Sequence, residues 1–391
     1  MMGSLRRLRL VMAALIVAVL LPPSLVSAGG APLAAIGRES LRVNFGDFQS
    51  QAELTYPAAA VQRRPAVILI PGSGLENMNA AICAAGPGSP VLSHNFLDIA
   101  TYLTPRGFVV LRYNKHYVTG PCQGDYQAFY TKLTLQQMLR DAERVLAAAE
   151  ADPHVDAHRI YLYGWSEGST IAAALAARHP ELAGLIVQGP VARSWRDTFL
   201  YQITEVGIPY LRRFALDGRV TATTLRQAYA GPGGLVARGV VIYLADPRAF
   251  QKGHVAMNPF IDRNHDGAID INTEFIPALP FELNVLLGPH GPLRLYGPGY
   301  ALPTVTAQAP RLTLPVLIQQ GANDANVPPA GARELNAALG ASGAGDHTLN
   351  IYPGLGHSLG PAASVIADNF RPIAMAPLSD TANWLMRHSM R

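Results

Sequence analysis

Five consecutive apolar residues, Ala66-Val67-Ile68-Leu69-Ile70, run straight into Pro71-Gly72-Ser73-Gly74. A strand this uniformly apolar has no face to offer to water, so it belongs in a sheet covered on both sides. Similar runs recur at residues 108–112, 160–163, 185–188 and 316–319, with a further strand over 348–352. Between them the spacing turns helical. Leu135, Met138, Leu139, Ala142, Val145, Leu146 and Ala149 fall three and four apart, one apolar stripe on a helix. Helices are also predicted over 169–177, 331–339 and 379–387, and residues 41–48 and 52–56 read as an opening antiparallel pair. Strands alternating with helices across short turns imply an α/β fold with a doubly wound, mostly parallel sheet.

The alternation stops between residues 193 and 312, a stretch rich in Gly, Pro and Tyr with helical patterns only near 195–202 and 224–229. An irregular interval of that length inside a regular pattern reads as a cap inserted over the sheet. The expected organisation is a leader at 1–28, a core at 29–192 and 313–391, and a cap at 193–312.

Gly164-Trp165-Ser166-Glu167-Gly168 sits between the strand at 160–163 and the alanine-rich helix that follows. A sharp strand-to-helix turn can lift a serine hydroxyl above the sheet, and its strained backbone requires minimal side chains two positions either side. The same turn directs the Glu167 amide to where an oxyanion would form. A second donor is expected from the loop after residue 70, with the Ser73 amide first and Gly74 second, because glycines let a backbone approach a ligand closely. A serine needs a base and a group to orient that base. On such sheets the order along the chain is nucleophile, acid, histidine. Asp324, after the strand at 316–319, and His357, after the strand at 348–352, follow Ser166 in that order at the same sheet edge. Asp324 alone could cap a helix and His357 alone could be a solvated loop histidine; Asp246 is the second candidate acid.

Five segments taken together, Leu69-Ile70-Pro71-Gly72-Ser73-Gly74, Leu111-Arg112-Tyr113-Asn114-Lys115, Gly164 through Gly168, Gly321 through Pro328, and Pro353-Gly354-Leu355-Gly356-His357, resemble the bacterial α/β-hydrolases related to dienelactone hydrolases, acyl-CoA thioesterases and prolyl-oligopeptidase-type peptidases. The resemblance covers roughly residues 60–190 and 312–390 and leaves the cap outside it. It implies the α/β-hydrolase fold, a Ser166–Asp324–His357 triad and no organic cofactor. Relatives often carry His-Gly where this chain has Pro71-Gly72, and Asp-Lys-Arg-Gly where it has Asn114-Lys115-His116-Tyr117, a difference expected at the rim of the site. The Glu167 side chain is likewise expected at the rim, solvated or hydrogen-bonded.

Arg6, Arg7 and Arg9 precede an uninterrupted apolar run at residues 10–21, which Pro22 and Pro23 end; Val26-Ser27-Ala28 then offers a cleavage site. Twelve apolar residues are short for a membrane span. The chain is therefore expected to be exported, to a periplasm or the medium, with no stable span once the leader is removed. Taking those three arginines from the 31 basic residues leaves 28 against 27 acidic, and the formal net charge drops from +4 to +1. That balance gives no basis for a nucleic-acid partner. In an oxidising compartment Cys83 and Cys122 can form one disulfide; two separate buried thiols are the alternative.

Asp262-Arg263-Asn264-His265-Asp266-Gly267-Ala268-Ile269-Asp270 carries oxygens at alternate positions, a glycine at the sixth and an apolar residue at the eighth, as calcium loops do. The closing carboxylate belongs at the twelfth position, which is Thr273; Glu274 comes one later. A calcium site and a plain Asp/Asn-rich turn are both compatible with this stretch. Its role would be structural, since hydrolysis by a triad requires no metal.

The function expected is acyl transfer on a small-molecule substrate, a carboxylic ester first, with an amide, peptide or thioester as the other enzymatic readings. A non-catalytic exported binding protein on the same scaffold is the reading from a different class.

Overall fold

The structure, a computed structural model, describes residues 34–84, 88–250, 253–343 and 345–390; the expected leader at 1–28 lies outside them. Strands β1 (Ile36–Asn44) and β2 (Gln49–Pro57) pair antiparallel, Ile36 opposite Pro57 and Asn44 opposite Gln49. β1 starts five residues before the expected 41. It is an edge strand whose Arg38, Ser40 and Arg42 face water, and such a polar alternation carries a weak apolar signal. β3 (Arg64–Ile70) sends Val67 and Leu69 to one face and Ala66, Ile68 and Ile70 to the other, all buried. β4 (Val109–Tyr113), β5 (Val155–Trp165), β6 (Gly184–Gln188), β7 (Val316–Gly321) and β8 (His347–Tyr352) complete the sheet.

The strands lie in the order β1-β2-β4-β3-β5-β6-β7-β8. Every neighbouring pair from β4 to β8 is parallel, and β2 runs against both of its neighbours. Parallel neighbours need crossovers, and the helices supply them. These are α1 (Asn95–Leu103), α2 (Leu135–Ala151) and α3 (Glu167–Ala176), then α4 (Trp195–Tyr201) and α5 (Ile276–Leu287) within the irregular interval, and finally α6 (Pro329–Ala341) and α7 (Met375–Ser389). α1 and α7 cover the Val67 face through Phe96, Ile99, Leu378 and Trp384. α2, α3 and α6 cover the Ile68 face through Leu139, Val145, Ile171 and Leu335. The whole predicted stripe of α2 is buried, and Thr134 caps the helix by accepting from the Gln137 amide at 3.0 Å.

Residues 193–312 lie between β6 and β7. α4 leads into a π-helical stretch, Gln202–Gly207, and the pattern near 224–229 is the helix Ala222–Ala230. A short ribbon pairs Arg219–Thr221 with Ala268–Asp270 ahead of α5. Val206, Val240, Phe275 and Leu279 of this insertion join the same core cluster as Leu139, Ile171 and Val187. No helix among the described residues is long and apolar enough to cross a membrane.

Cys83 and Cys122 form a disulfide across 39 residues. It ties the loop after β3 to the loop after β4, both at the sheet edge where Ser166 lies. Closing a loop of that length restricts the unfolded chain, so Cys83→Ala/Cys122→Ala should destabilise the protein by roughly 3–4 kcal/mol in chemical denaturation. An unchanged denaturation midpoint would show that the crosslink does not constrain the unfolded state.

Candidate active site

β5 ends at Trp165 and α3 begins at Glu167, so Ser166 occupies the turn alone, at φ 54° and ψ −120°. A non-glycine residue pays in strain for that backbone, and the packing around it holds it there. A Cβ on Gly168 would come within 2.2 Å of the Ile70 carbonyl oxygen, and one on Gly164 within 2.5 Å of the Gly168 carbonyl oxygen. The two glycines of the motif are thus demanded by backbone against backbone. The Ser166 amide donates to the Gln188 carbonyl at 2.9 Å, which fixes the turn to the end of β6.

His357 Nδ1 lies 2.8 Å from Asp324 Oδ2, both side chains buried. A carboxylate oxygen accepts, so Nδ1 carries the proton and Nε2 is the nitrogen left to act as a base. Asp324 is itself held: Oδ1 accepts from the Asn326 and Val327 amides at 2.8 and 2.9 Å, and Oδ2 accepts from Gln320 Nε2 at 2.9 Å. Asp246, the other candidate acid, instead accepts from the Arg248 amide in its own turn.

Contacts at the ends of β5 and β6 hold the backbone of His357 against Trp165, the residue before the serine. The Trp165 indole N–H and Gln188 Nε2 both donate to the His357 carbonyl, at 3.2 and 3.1 Å. Gly189, at φ 52°, lies so close to the imidazole that a Cβ there would come within 2.9 Å of its Cε1 and Nδ1. Asp368, which the sequence does not single out, joins the two loops: its Oδ2 accepts from the His357 and Ala325 amides at 2.9 and 3.0 Å.

The electrostatics follow from burial among carboxylates. Burial pulls His357 down, but the charge and hydrogen bond of Asp324, with Asp368 and Glu76 behind, outweigh it and leave the imidazole above its ordinary 6.5. Burial and the charge of Asp324 raise the Asp368 carboxyl.

Ser73, Gly74 and Ser166 line a single cavity of about 260 Å³, walled by Trp195, Phe199 and Tyr296 from the insertion. A Cβ on Gly72 would lie 3.3 Å from Ser166 Cβ, so the loop after β3 passes directly beside the serine.

Two expectations are corrected here. The Glu167 side chain is fully buried rather than at a rim: Oε1 pairs with Lys115 Nζ at 2.6 Å, and Oε2 accepts from the Tyr296 hydroxyl at 2.7 Å. Asn114, Lys115 and His116 are likewise buried beneath the site and form no rim. Asn114 Oδ1 accepts from the Met78 amide at 2.8 Å, and the His116 ring stacks between Phe45 and Phe48 with Asp141 2.8 Å from its Nδ1. Beside them Glu76 is also buried, and that burial pushes its carboxyl up to about 8 against the pull of Lys115 and the Gly72 amide. The first correction follows from the close approach of α3 to β3, which leaves the residue after Ser166 facing inward; the second follows from the partners that Asn114, Lys115 and His116 find inside the protein.

Asp262, Asn264, Asp266, Asp270 and Glu274 lie in the insertion, apart from Ser166. Asp262 Oδ2 accepts from the Gly267 amide across the loop at 3.1 Å, and Asp270 Oδ1 accepts from the Asn272 and Thr273 amides. Asp266 pairs with Arg219 and accepts from the Asn264 side chain. Residues Ile271–Phe275 form a π-helical turn, with the Ile276 amide donating to the Ile271 carbonyl. Such a turn absorbs one extra residue. Glu274, one place late in the count, thereby returns to the loop: Oε1 accepts from the Arg263 amide at 3.1 Å and Oε2 from the Asp270 amide at 2.8 Å.

Segments of the chain are similar to known hydrolases. The acetyl xylan esterase family profile matches residues 46–211, and the serine aminopeptidase (S33) profile matches residues 298–360. Esterase EstD of Thermotoga maritima is 29% identical over 163 residues, a match covering 41% of this chain and 34% of that esterase's length. Proline iminopeptidase of Mycobacterium smegmatis shares the fold at a TM-score of 0.50 and 20% identity, over 90% of this chain and 99% of that one. The α/β-hydrolase GrgF of Penicillium sp. sh18 superposes at a TM-score of 0.48 and 18% identity, over 91% and 100%. With the strand order and the structural match in agreement, this chain has the α/β-hydrolase fold, and segments of it are similar to esterase and serine aminopeptidase families.

Proposed function

We propose that the chain is an exported carboxylic-ester hydrolase acting through Ser166, His357 and Asp324. The observation that carries this reading is the strained Ser166 turn, which shares one cavity with Ser73 and Gly74 and whose neighbour Trp165 donates to the backbone of His357, the partner of Asp324. His357 Nε2 takes the Ser166 proton as the hydroxyl oxygen attacks the substrate carbonyl, and Asp324 keeps the imidazole in the required tautomer. The Glu167 amide and an amide of the Ser73–Gly74 loop receive the negative oxygen of the tetrahedral intermediate. The alcohol leaves with the proton from His357. Water then repeats the sequence on the acyl-enzyme and releases the acid.

The match to an esterase and to the acetyl xylan esterase family supports an ester substrate. A cavity of about 260 Å³ with aromatic walls suits a short acyl group. Trp195, Phe199 and Tyr296 give the insertion the role of a cap that sets what fits. The serine aminopeptidase match over residues 298–360 favours amide cleavage as the second reading. Export is supported by the leader pattern at 1–28 and by the disulfide.

The alternating oxygens of the loop from Asp262 to Glu274 support a structural calcium ion as a second proposal, with no three of its carboxylates gathered at one point in this structure. Besides the alternating oxygens, Asp262 is only 5% exposed and its Oδ1 has no hydrogen-bond partner among the described residues. A buried carboxylate oxygen without a donor is what a cation would satisfy.

Three outcomes follow. Ser166→Ala should lower turnover of short-chain chromogenic esters by about 10⁴-fold or more, and a fluorophosphonate should label the wild type alone. Undiminished turnover in the variant would remove Ser166 from the mechanism, and faster aminoacyl-amide than ester cleavage would select the second reading. Neutral His357 is the active form and its value lies above 6.5, so kcat/KM should rise with pH through an apparent pKa above 6.5 to a plateau. An acid limb centred below 6.5 would contradict that environment. Calcium at about 10 mM should raise Tm by about 2–4 °C over a chelated sample, for a site of the extracellular affinity class. Asp262→Ala should abolish the shift, and equal Tm with and without calcium would rule the ion out.

A further inference from the structure

The two amides assigned to the oxyanion lead to the same buried ammonium. Lys115 Nζ donates to the Gly72 carbonyl oxygen at 2.6 Å and to Glu167 Oε1 at 2.6 Å. Lys115 is 4% exposed and its Nζ lies 5.0 Å from the centre of the Phe129 ring. The Gly72 carbonyl and the Ser73 N–H belong to one planar trans peptide, in which they point in opposite directions. A donor fixed on that oxygen therefore sets the aim of the Ser73 N–H. The preceding peptide is held too, because the Gly72 amide donates to Glu76 Oε2 at 2.7 Å. On the other side, Glu167 supplies the second amide at the first position of α3, and its carboxylate is gripped between Lys115 and the Tyr296 hydroxyl.

We propose that Lys115 is a positioning residue for the oxyanion site, one buried cation that aligns the Ser73 and Glu167 amides. The inference rests on the reading of Ser166 as nucleophile given above. The ammonium touches neither substrate nor serine; it acts through the two peptides it holds. Its positive charge, shielded from water, also favours negative charge developing on the far side of those peptides. A buried ion pair that only neutralised Glu167 would affect stability and leave turnover alone.

The test uses the full chain, a short chromogenic ester and a boronic acid that forms a tetrahedral adduct with the serine. Lys115→Met alone leaves Glu167 buried without a counter-charge, so the double variant Lys115→Met/Glu167→Gln, which buries no net charge, is the principal one. The double variant is expected to lose about 10- to 100-fold in kcat with KM within about threefold of wild type, and to bind the boronate more weakly in proportion to its loss in kcat/KM. Glu167→Gln alone keeps the ammonium on the Gly72 carbonyl and frees only the Glu167 peptide, so it should lose less in kcat than the double variant. A folded variant lacking Lys115 with kcat within about twofold of wild type overturns the inference, as does a Glu167→Gln loss equal to that of the double variant. Ser166→Ala separates this from the underlying reading. If that variant is inactive while Lys115 proves dispensable, only the positioning role falls; if it retains full turnover, the nucleophile assignment falls.

Discussion

Helix α3 starts hard against the end of β3, so close that a Cβ on Gly168 would reach within 2.2 Å of the Ile70 carbonyl oxygen and 2.5 Å of the Pro71 carbonyl oxygen. The rest of the site depends on this approach. It forces Ser166 into its strained turn, brings Gly72 and Ser73 alongside the hydroxyl, and turns the Glu167 side chain into the protein. Packing on both faces of β3 and β5 supplies the energy that holds the strain, since neither strand can shift without moving residues of both core clusters.

Beneath that contact lies a polar foundation in an otherwise apolar centre. Glu76, Lys115, Glu167 and Tyr296 come from four separate segments and are all buried. Removing charges from water is costly, and pairing offsets that cost only where the geometry is good. Here each charged or hydroxyl group has a named partner, and the partners are the two peptides nearest the serine or the side chain next to it in sequence. The Asp324–His357 side is built in the same manner: Asp368 holds the backbone of both loops that carry the pair.

Much of this was legible in the chain. Strands buried on both faces announce themselves as apolar runs, and the α2 stripe from Leu135 to Ala149 is buried in full. The Ser166 turn, Asp324 and His357 were readable because each sits at the end of such a run. Edge strand β1 carries a shorter apolar signal than its length because half of it faces water. The supporting residues left no local mark. Lys115, Tyr296 and Asp368 acquire their roles from contacts spanning 11 to 129 residues in sequence, and no periodicity encodes a contact of that kind. Counting along the calcium-like loop left Glu274 one place late, because a count assumes α-helical spacing and Ile271–Phe275 winds more loosely.

The insertion between β6 and β7 shares one continuous apolar cluster with the sheet face it adjoins: Val206, Val240 and Phe275 on one side, Ile171 and Val187 on the other. A flap seated on a polar seam can swing about a hinge. One welded to its platform by interlocked side chains would have to expose that surface to water, at about 25 cal/mol for every Å². The cavity beside Ser166 is only partly enclosed, so a substrate can enter it with the insertion in place. Selectivity in such a molecule is changed by exchanging single aromatic residues such as Trp195 or Phe199, which wall the cavity, with the insertion left in its seat.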